Sequence, residues 1–225
     1  MYKVRCKMIG FDGDEKTYPC HFGYKVGDEF YYDGVHFTGR ICPGLFASMM
    51  PVIHSTFLQG NKYSENIMYM YRGYDVPDPS MARYDGVGYR PEKNLPAGYA
   101  EKMRQVFHRN PKSGRVNGGH FVCTDSRTVV HFICEPVDLS DSEYAQPFYR
   151  RSIAILEKIE KEDGIKIDEI LDRFTEFEKD SISPRMTPSL FQVLLEALDD
   201  MNYIDIRDGR AFVTGRQPPS RPKIS

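Results

Sequence analysis

Cys20, Cys42 and Cys123 are the residues best placed to do chemistry, because each ends a short segment punctuated by proline or glycine. A thiolate is a soft ligand and a strong nucleophile, and thiols that emerge from loops are reachable. His21, His36, His54 and His120 lie close to them in sequence. Two chemistries follow. Three thiolates, or two with an imidazole, suit zinc, iron or an iron–sulfur centre, which makes Cys20, Cys42 and Cys123 candidate metal ligands. No Cys-x-x-Cys pair exists, so each ligand must come from a separate element. Alternatively, one thiol acts alone. Cys42-Pro43-Gly44 opens a helical pattern, and the free amides and dipole of a helix amino terminus favour a thiolate. Cys42 or Cys123 is then the nucleophile, His54 or His120 the proton carrier, and Asp125 the orienting carboxylate. Against both stands plain packing, since free cysteine is among the most buried residue types. Asp125 equally suits a turn that bonds its own backbone. Cys20 and His21 are adjacent and are expected to point apart.

The elements that must position these groups read as α+β. Val4, Cys6 and Met8 alternate with Lys3, Arg5 and Lys7, the period of a half-buried strand. A second strand over 26–32 closes at Asp33-Gly34, a hairpin signal, with a short partner at 35–37. Leu45, Phe46, Met49, Met50, Ile53 and Phe57 fit a helix over 43–58, which Pro51 should kink or restart. Two strands follow, 120–123 and 128–135, with 124–127 as their turn. Cys6 and Cys134 sit on apolar strand faces and belong to the core; His131 faces the other way.

Composition narrows the class. The chain has 225 residues, 40% hydrophobic and 28% charged, with a net charge of −2, which suits one or two globular domains and gives no global field for nucleic acid or an acidic membrane. No apolar run reaches a membrane span, and the amino terminus lacks the apolar core of a signal peptide. The expectation is a cytoplasmic protein whose five cysteines, an odd number, are reduced thiols. Tryptophan is absent while tyrosine (15) and phenylalanine (14) are plentiful, so these two must supply the aromatic packing.

Residues 61–118 stand apart. Seven tyrosines lie among Pro77, Pro79, Pro91, Pro96 and several glycines, and ten Lys/Arg against six Asp/Glu give a local net of +4. The composition predicts an ordered but irregular excursion, with one helix over 97–109 and a basic glycine-rich loop at 110–119. Arg72, Tyr74, Arg83 and Arg90 are its candidates for binding an aromatic or carboxylated small molecule; subunit packing explains the same tyrosines.

Residues 136–147 read as a linker. Beyond it come three helices, around 148–159, 167–174 and 189–201, the last opened by Thr187-Pro188, then a hairpin over 203–214. This order resembles a winged helix-turn-helix domain over 148–215, followed by a frayed tail, 216–225. In such folds the third helix enters the DNA major groove. Here that helix has no Lys or Arg, and 151–225 carries twelve Lys/Arg against fifteen Asp/Glu. Phosphate contacts dominate DNA affinity, so the charge has the wrong sign, and homo-oligomerisation or partner docking is the better use of the domain.

The order of motifs in the first 135 residues resembles a family of small uncharacterised proteins of anaerobic bacteria and archaea. The resemblance rests on Cys20 followed by Lys25-Val26-Gly27-Asp28-Glu29-Phe30, on Cys42 leading a helix with Pro51 and Gly60, and on Cys123-Thr124-Asp125. The family carries a Cys-Thr-Asp-Gly signature; Ser126 stands here in place of its glycine, and the tryptophans of its helix are missing. The resemblance implies that 1–135 is one domain with 61–118 inserted. It supplies residues and no reaction. Together these readings predict a Cys/His-containing small-molecule or metal site, with zinc or iron as the candidate metals, in an N-terminal α+β domain. The alternative is a ligand- or redox-responsive regulator that binds DNA through its winged helix.

Overall fold

A computed structural model of the chain describes residues 1–12, 16–17, 19–60, 119–123 and 129–219. Arg72, Tyr74, Arg83, Arg90 and Asp125 lie outside the described residues, as do the expected insertion and its helix. The described elements are helices and antiparallel sheets, an α+β protein. It divides into two compact units. One takes residues 2–32 and 36–136; the other takes 137–225 together with Met1 and 33–35.

The first unit is built on a sheet of order β3-β2-β1-β5-β4, with β1 at Tyr2–Asp12, β2 at Glu29–Tyr32, β3 at Phe37–Gly39, β4 at Gly119–Val122 and β5 at Val129–Leu139. Alternation along the strands sends Val4, Cys6 and Met8 of β1 and Phe132 and Cys134 of β5 into a dry face, each 0% exposed. The central strands run antiparallel, since Arg5 meets Glu135 while Cys6 meets Cys134. The Arg5 Nε donates to the Glu135 carboxylate at 2.9 Å, so this nearly buried carboxylate is paired rather than stranded. On the dry face the two cysteines lie with Sγ atoms 3.5 Å apart, and burial pushes the Cys6 thiol well above its ordinary range.

Helix α1, Pro43–Gln59, covers this face. Leu45, Met49, Ile53 and Phe57 recur every four residues and are fully buried, a single stripe along one side of the helix. Each such burial contributes about 1.5–3 kcal/mol. Pro51 neither splits nor restarts the helix. It sits on the exposed side, where water can satisfy the carbonyl one turn earlier that loses its donor. At the carboxyl end Gly60 takes φ 58° and lies under the Tyr2 ring; a Cβ there would come within 2.6 Å of it.

Strand β5 runs through Pro136 to Leu139, so the expected linker begins as sheet. Pro136 is tolerated as the strand nears its end. The second unit then opens with Ser140 and Ser142, whose hydroxyls donate to the Asp33 carbonyl at 2.5 and 2.7 Å and so draw the 33–35 turn into it. Helix α2, Gln146–Lys161, leads to a two-residue strand β6, Ile165–Lys166, which the sequence reading missed because two residues carry no period. The expected second helix, 167–174, is broken into α3, Ile167–Ile170, and a 3-10 turn at Leu171–Arg173, and a further short helix, α4, follows at Glu176–Asp180. Thr175 and Glu178 close a reciprocal capping box at α4, and Lys158 of α2 reaches Glu178 at 2.8 Å. Helix α5, Pro188–Asp200, starts at the anticipated cap: Thr187 Oγ1 accepts from the Leu190 amide at 3.2 Å. β7, Ile204–Arg207, and β8, Arg210–Val213, form the hairpin, and the sheet order is β6-β8-β7. Arg216, expected to fray, is instead pinned. It donates to the Met201 carbonyl at 2.6 Å, pairs with Asp138 at 3.0 Å and stacks on the Tyr203 ring. No helix among the described residues is long and apolar enough to cross a membrane.

Leu195 is fully buried on α5, which packs against α2. Leu195→Ala should therefore cost about 2–5 kcal/mol, against about 1 kcal/mol for Thr187→Ala, which loses only the cap. Urea denaturation of the two variants measures both, and equal midpoints would contradict the packing described here.

Candidate functional site

Three loops and one helix end meet at the rim of the first sheet. The chain turns at Cys20, where the Gly23 amide donates to the Cys20 carbonyl at 2.8 Å. Gly23 takes φ 70°, a value that a residue with a side chain rarely adopts, which explains a glycine closing this turn. Cys42 is the residue before α1, with extended backbone, and its carbonyl accepts from the Phe46 amide at 2.8 Å, the first bond of the helix. Pro43 follows at the first helical position, where its missing amide costs nothing. Cys123 follows β4, and its amide donates to the Val130 carbonyl at 2.8 Å.

These elements enclose a cavity of about 240 Å³ lined by Cys20, His21, Phe22, Tyr24, Cys42, Gly44, Leu45, Cys123, Val130 and Phe132. All three loop cysteines line it, and each is partly exposed, in contrast to the sealed pair Cys6 and Cys134. The floor is aromatic and aliphatic. Val130 and Phe132 share a face of β5 with Cys134, so the cavity opens onto the same dry face that α1 covers.

Tyr24 organises the site. Its hydroxyl accepts from the Cys42 amide at 2.9 Å and donates to the Arg40 carbonyl at 3.1 Å, tying the start of α1 to the 20–24 turn. Its ring meets Phe132 edge-on at 5.2 Å and Phe22 at 4.8 Å. Burial, with the nearby Cys42 and Cys20 thiols, pushes the Tyr24 phenol up to about 12, the Cys42 amide bond opposing the shift. It therefore works as a neutral hydrogen-bonding post across the physiological range.

The histidines fall differently from the expectation. His21 lines the cavity beside Cys20 because the two lie in a turn, where neighbours need not point apart as they do in a strand. His54 does not line it. Twelve residues separate it from Cys42 along α1, roughly 18 Å of helix axis, and it stacks instead on Phe57 and faces Tyr32. His120 lies on β4; its side chain is outside the described residues, as is all of Asp125. Among the described residues no group of three or more His, Cys, Asp and Glu is arranged to hold a metal ion. Sequence reasoning named His21 but turned it away from Cys20, and it missed Phe22 and Tyr24. The signal was the Pro19-to-Gly23 frame, which marks a turn rather than a strand. Comparison with family models, curated protein sequences and solved structures finds no match to this chain.

Tyr24→Phe should leave the Cys42 amide without its acceptor and cost about 1–3 kcal/mol at neutral pH. The sign at alkaline pH follows from the raised phenol. An unfolded tyrosine ionises near 10, whereas the folded Tyr24 keeps its proton to about 12. Its stabilisation is complete below the lower value and is lost as pH rises through the upper one. Denaturation midpoints between pH 9 and 12 should decline less steeply in Tyr24→Phe than in the parent; an identical decline would rule this role out.

Proposed function

We propose that the first unit binds a small, largely apolar, thiol-reactive molecule in this cavity, with Cys42 as the thiol that engages it. The observation that carries the reading is the convergence of Cys20, Cys42, Cys123 and His21 on one cavity with an aromatic floor. Cys42 is favoured among the three because it immediately precedes a 17-residue helix and its amide is tied to Tyr24, a residue that lines the cavity. His21 lines the same cavity and is the imidazole at hand to carry the thiol proton. Cys20 and Cys123 are the second thiols of the cavity, and zinc or iron is the metal that a centre made of the three would take. The three cysteines are also those that the resemblance to the Cys-Thr-Asp-Gly family singles out.

The second unit serves assembly in this reading. Its order of helix, strand, helices and hairpin, with sheet order β6-β8-β7, fits a winged helix-turn-helix domain. The helix that would enter DNA, α5, carries no cation and exposes Val193, and α4 exposes Phe177 at 67%. These apolar side chains suit a protein contact better than a phosphate backbone.

Stoichiometric alkylation with iodoacetamide at neutral pH, mapped by peptide mass spectrometry, tests the site. Cys42 should be modified first, Cys42→Ser should abolish the fast phase, and Cys6 and Cys134 should stay unmodified until the chain unfolds. Uniform slow labelling of all five cysteines would remove the proposal. Metal analysis of protein purified without oxygen separates the two thiol chemistries. Zinc or iron near one equivalent, lost in Cys42→Ser, makes the centre a metal site; its absence with fast Cys42 labelling leaves a reactive thiol.

For the second unit, light scattering should give a mass above that of one chain, reduced by Phe177→Ser with Val193→Ser. A monomer retained on DNA at low salt, and released by Arg207→Ala with Arg210→Ala, would favour the regulator instead.

A further inference from the structure

The cavity has no permanent charge among its lining residues, yet an arginine is fixed beside it. Arg40 lies two residues before Cys42. Its guanidinium stacks on the Phe22 ring, 4.6 Å from the centroid, and its Nη2 donates to the Phe22 carbonyl at 2.7 Å. Phe22 lines the cavity, and the Arg40 carbonyl receives the Tyr24 hydroxyl, so both ends of Arg40 are held against cavity residues. Among the described residues Arg40 has no carboxylate partner. An exposed arginine usually floats or pairs with an acid. This one is ordered by a ring and a carbonyl, with most of its donors left over.

Gly39 fixes the approach. It takes φ 108° and packs its Cα side against Phe30, where a Cβ would lie 3.0 Å from the Glu29 carbonyl and the Phe30 side chain. The end of β3 is thereby pressed onto β2, and the next residue, Arg40, is delivered to the cavity rim.

We infer that Arg40 selects a small carboxylate: the ligand of the thiol cavity presents its apolar body to Phe22, Phe132 and Leu45 and its carboxylate to the Arg40 guanidinium. The inference rests on the thiol-site reading above and names its substrate class. A single guanidinium fork matches the charge and planar geometry of one carboxylate. A cavity of about 240 Å³ accommodates a compact organic acid.

Iodoacetate and iodoacetamide test this, because they differ only in a carboxylate against an amide. In each the Cys42 sulfur attacks the methylene carbon and the carbon–sulfur bond forms. Iodide leaves with the bonding pair, and the thiol proton passes to His21 and then to solvent. The readout is the iodoacetate-to-iodoacetamide rate ratio at Cys42 in the full-length protein, divided by the same ratio for a neutral cysteine peptide.

At low ionic strength the normalised ratio should exceed unity by about 1.4- to fivefold, the range for an exposed charge pair. It should fall toward unity in 1 M salt. Arg40→Gln should return it to unity, and Arg40→Lys should keep most of the preference. A parental ratio at unity, or one that Arg40→Gln leaves unaltered, overturns the carboxylate assignment while fast iodoacetamide labelling keeps the reactive thiol. Slow labelling of Cys42 by both reagents overturns the thiol reading and this inference together.

Discussion

The Tyr24 hydroxyl is the joint on which the first unit's rim depends. It spans the Arg40 carbonyl and the Cys42 amide, and it stands on a ring packed against Phe132 of the central sheet. Remove that bridge and the start of α1, the 20–24 turn and the end of β3 lose their common anchor. The cavity is the space these segments leave around it. A phenol suits the task because it donates and accepts from one atom and keeps its proton well past neutral pH in this setting.

The five thiols divide according to where the dry face ends. Cys6 and Cys134 lie in the middle of the sheet, under α1, fully buried with their sulfurs 3.5 Å apart. Cys20, Cys42 and Cys123 lie where strands and helix give way to turns, so their sulfurs border a space that solvent reaches. The stripe of Leu45, Met49, Ile53 and Phe57 makes this division possible. It fixes the helix over the sheet and leaves its amino-terminal end, with Cys42, projecting past the last buried layer.

In the second unit the ordering devices are local. Capping at Thr175 and Thr187 sets where α4 and α5 begin, and Arg216 closes the hairpin end through Met201, Asp138 and Tyr203. The outward side chains of α4 and α5, Phe177 and Val193 among them, stay exposed.

The sequence by itself determined the α+β class, the helix that begins after Cys42, the cap at Thr187, the final hairpin, and the burial of Cys6 and Cys134. All of these follow from period, proline and glycine, which act over a few residues. The three loop thiols were legible for the same reason, since turn punctuation exposes a side chain wherever it falls. Tertiary structure alone decided that His21 and not His54 stands with them, that Tyr24 ties Arg40 to Cys42, and that Pro51 stays inside one helix. Periodicity assigns a residue to a face but gives no distance between faces. Twelve residues of α1 carry His54 away from the cavity, while a turn folds His21 back toward it.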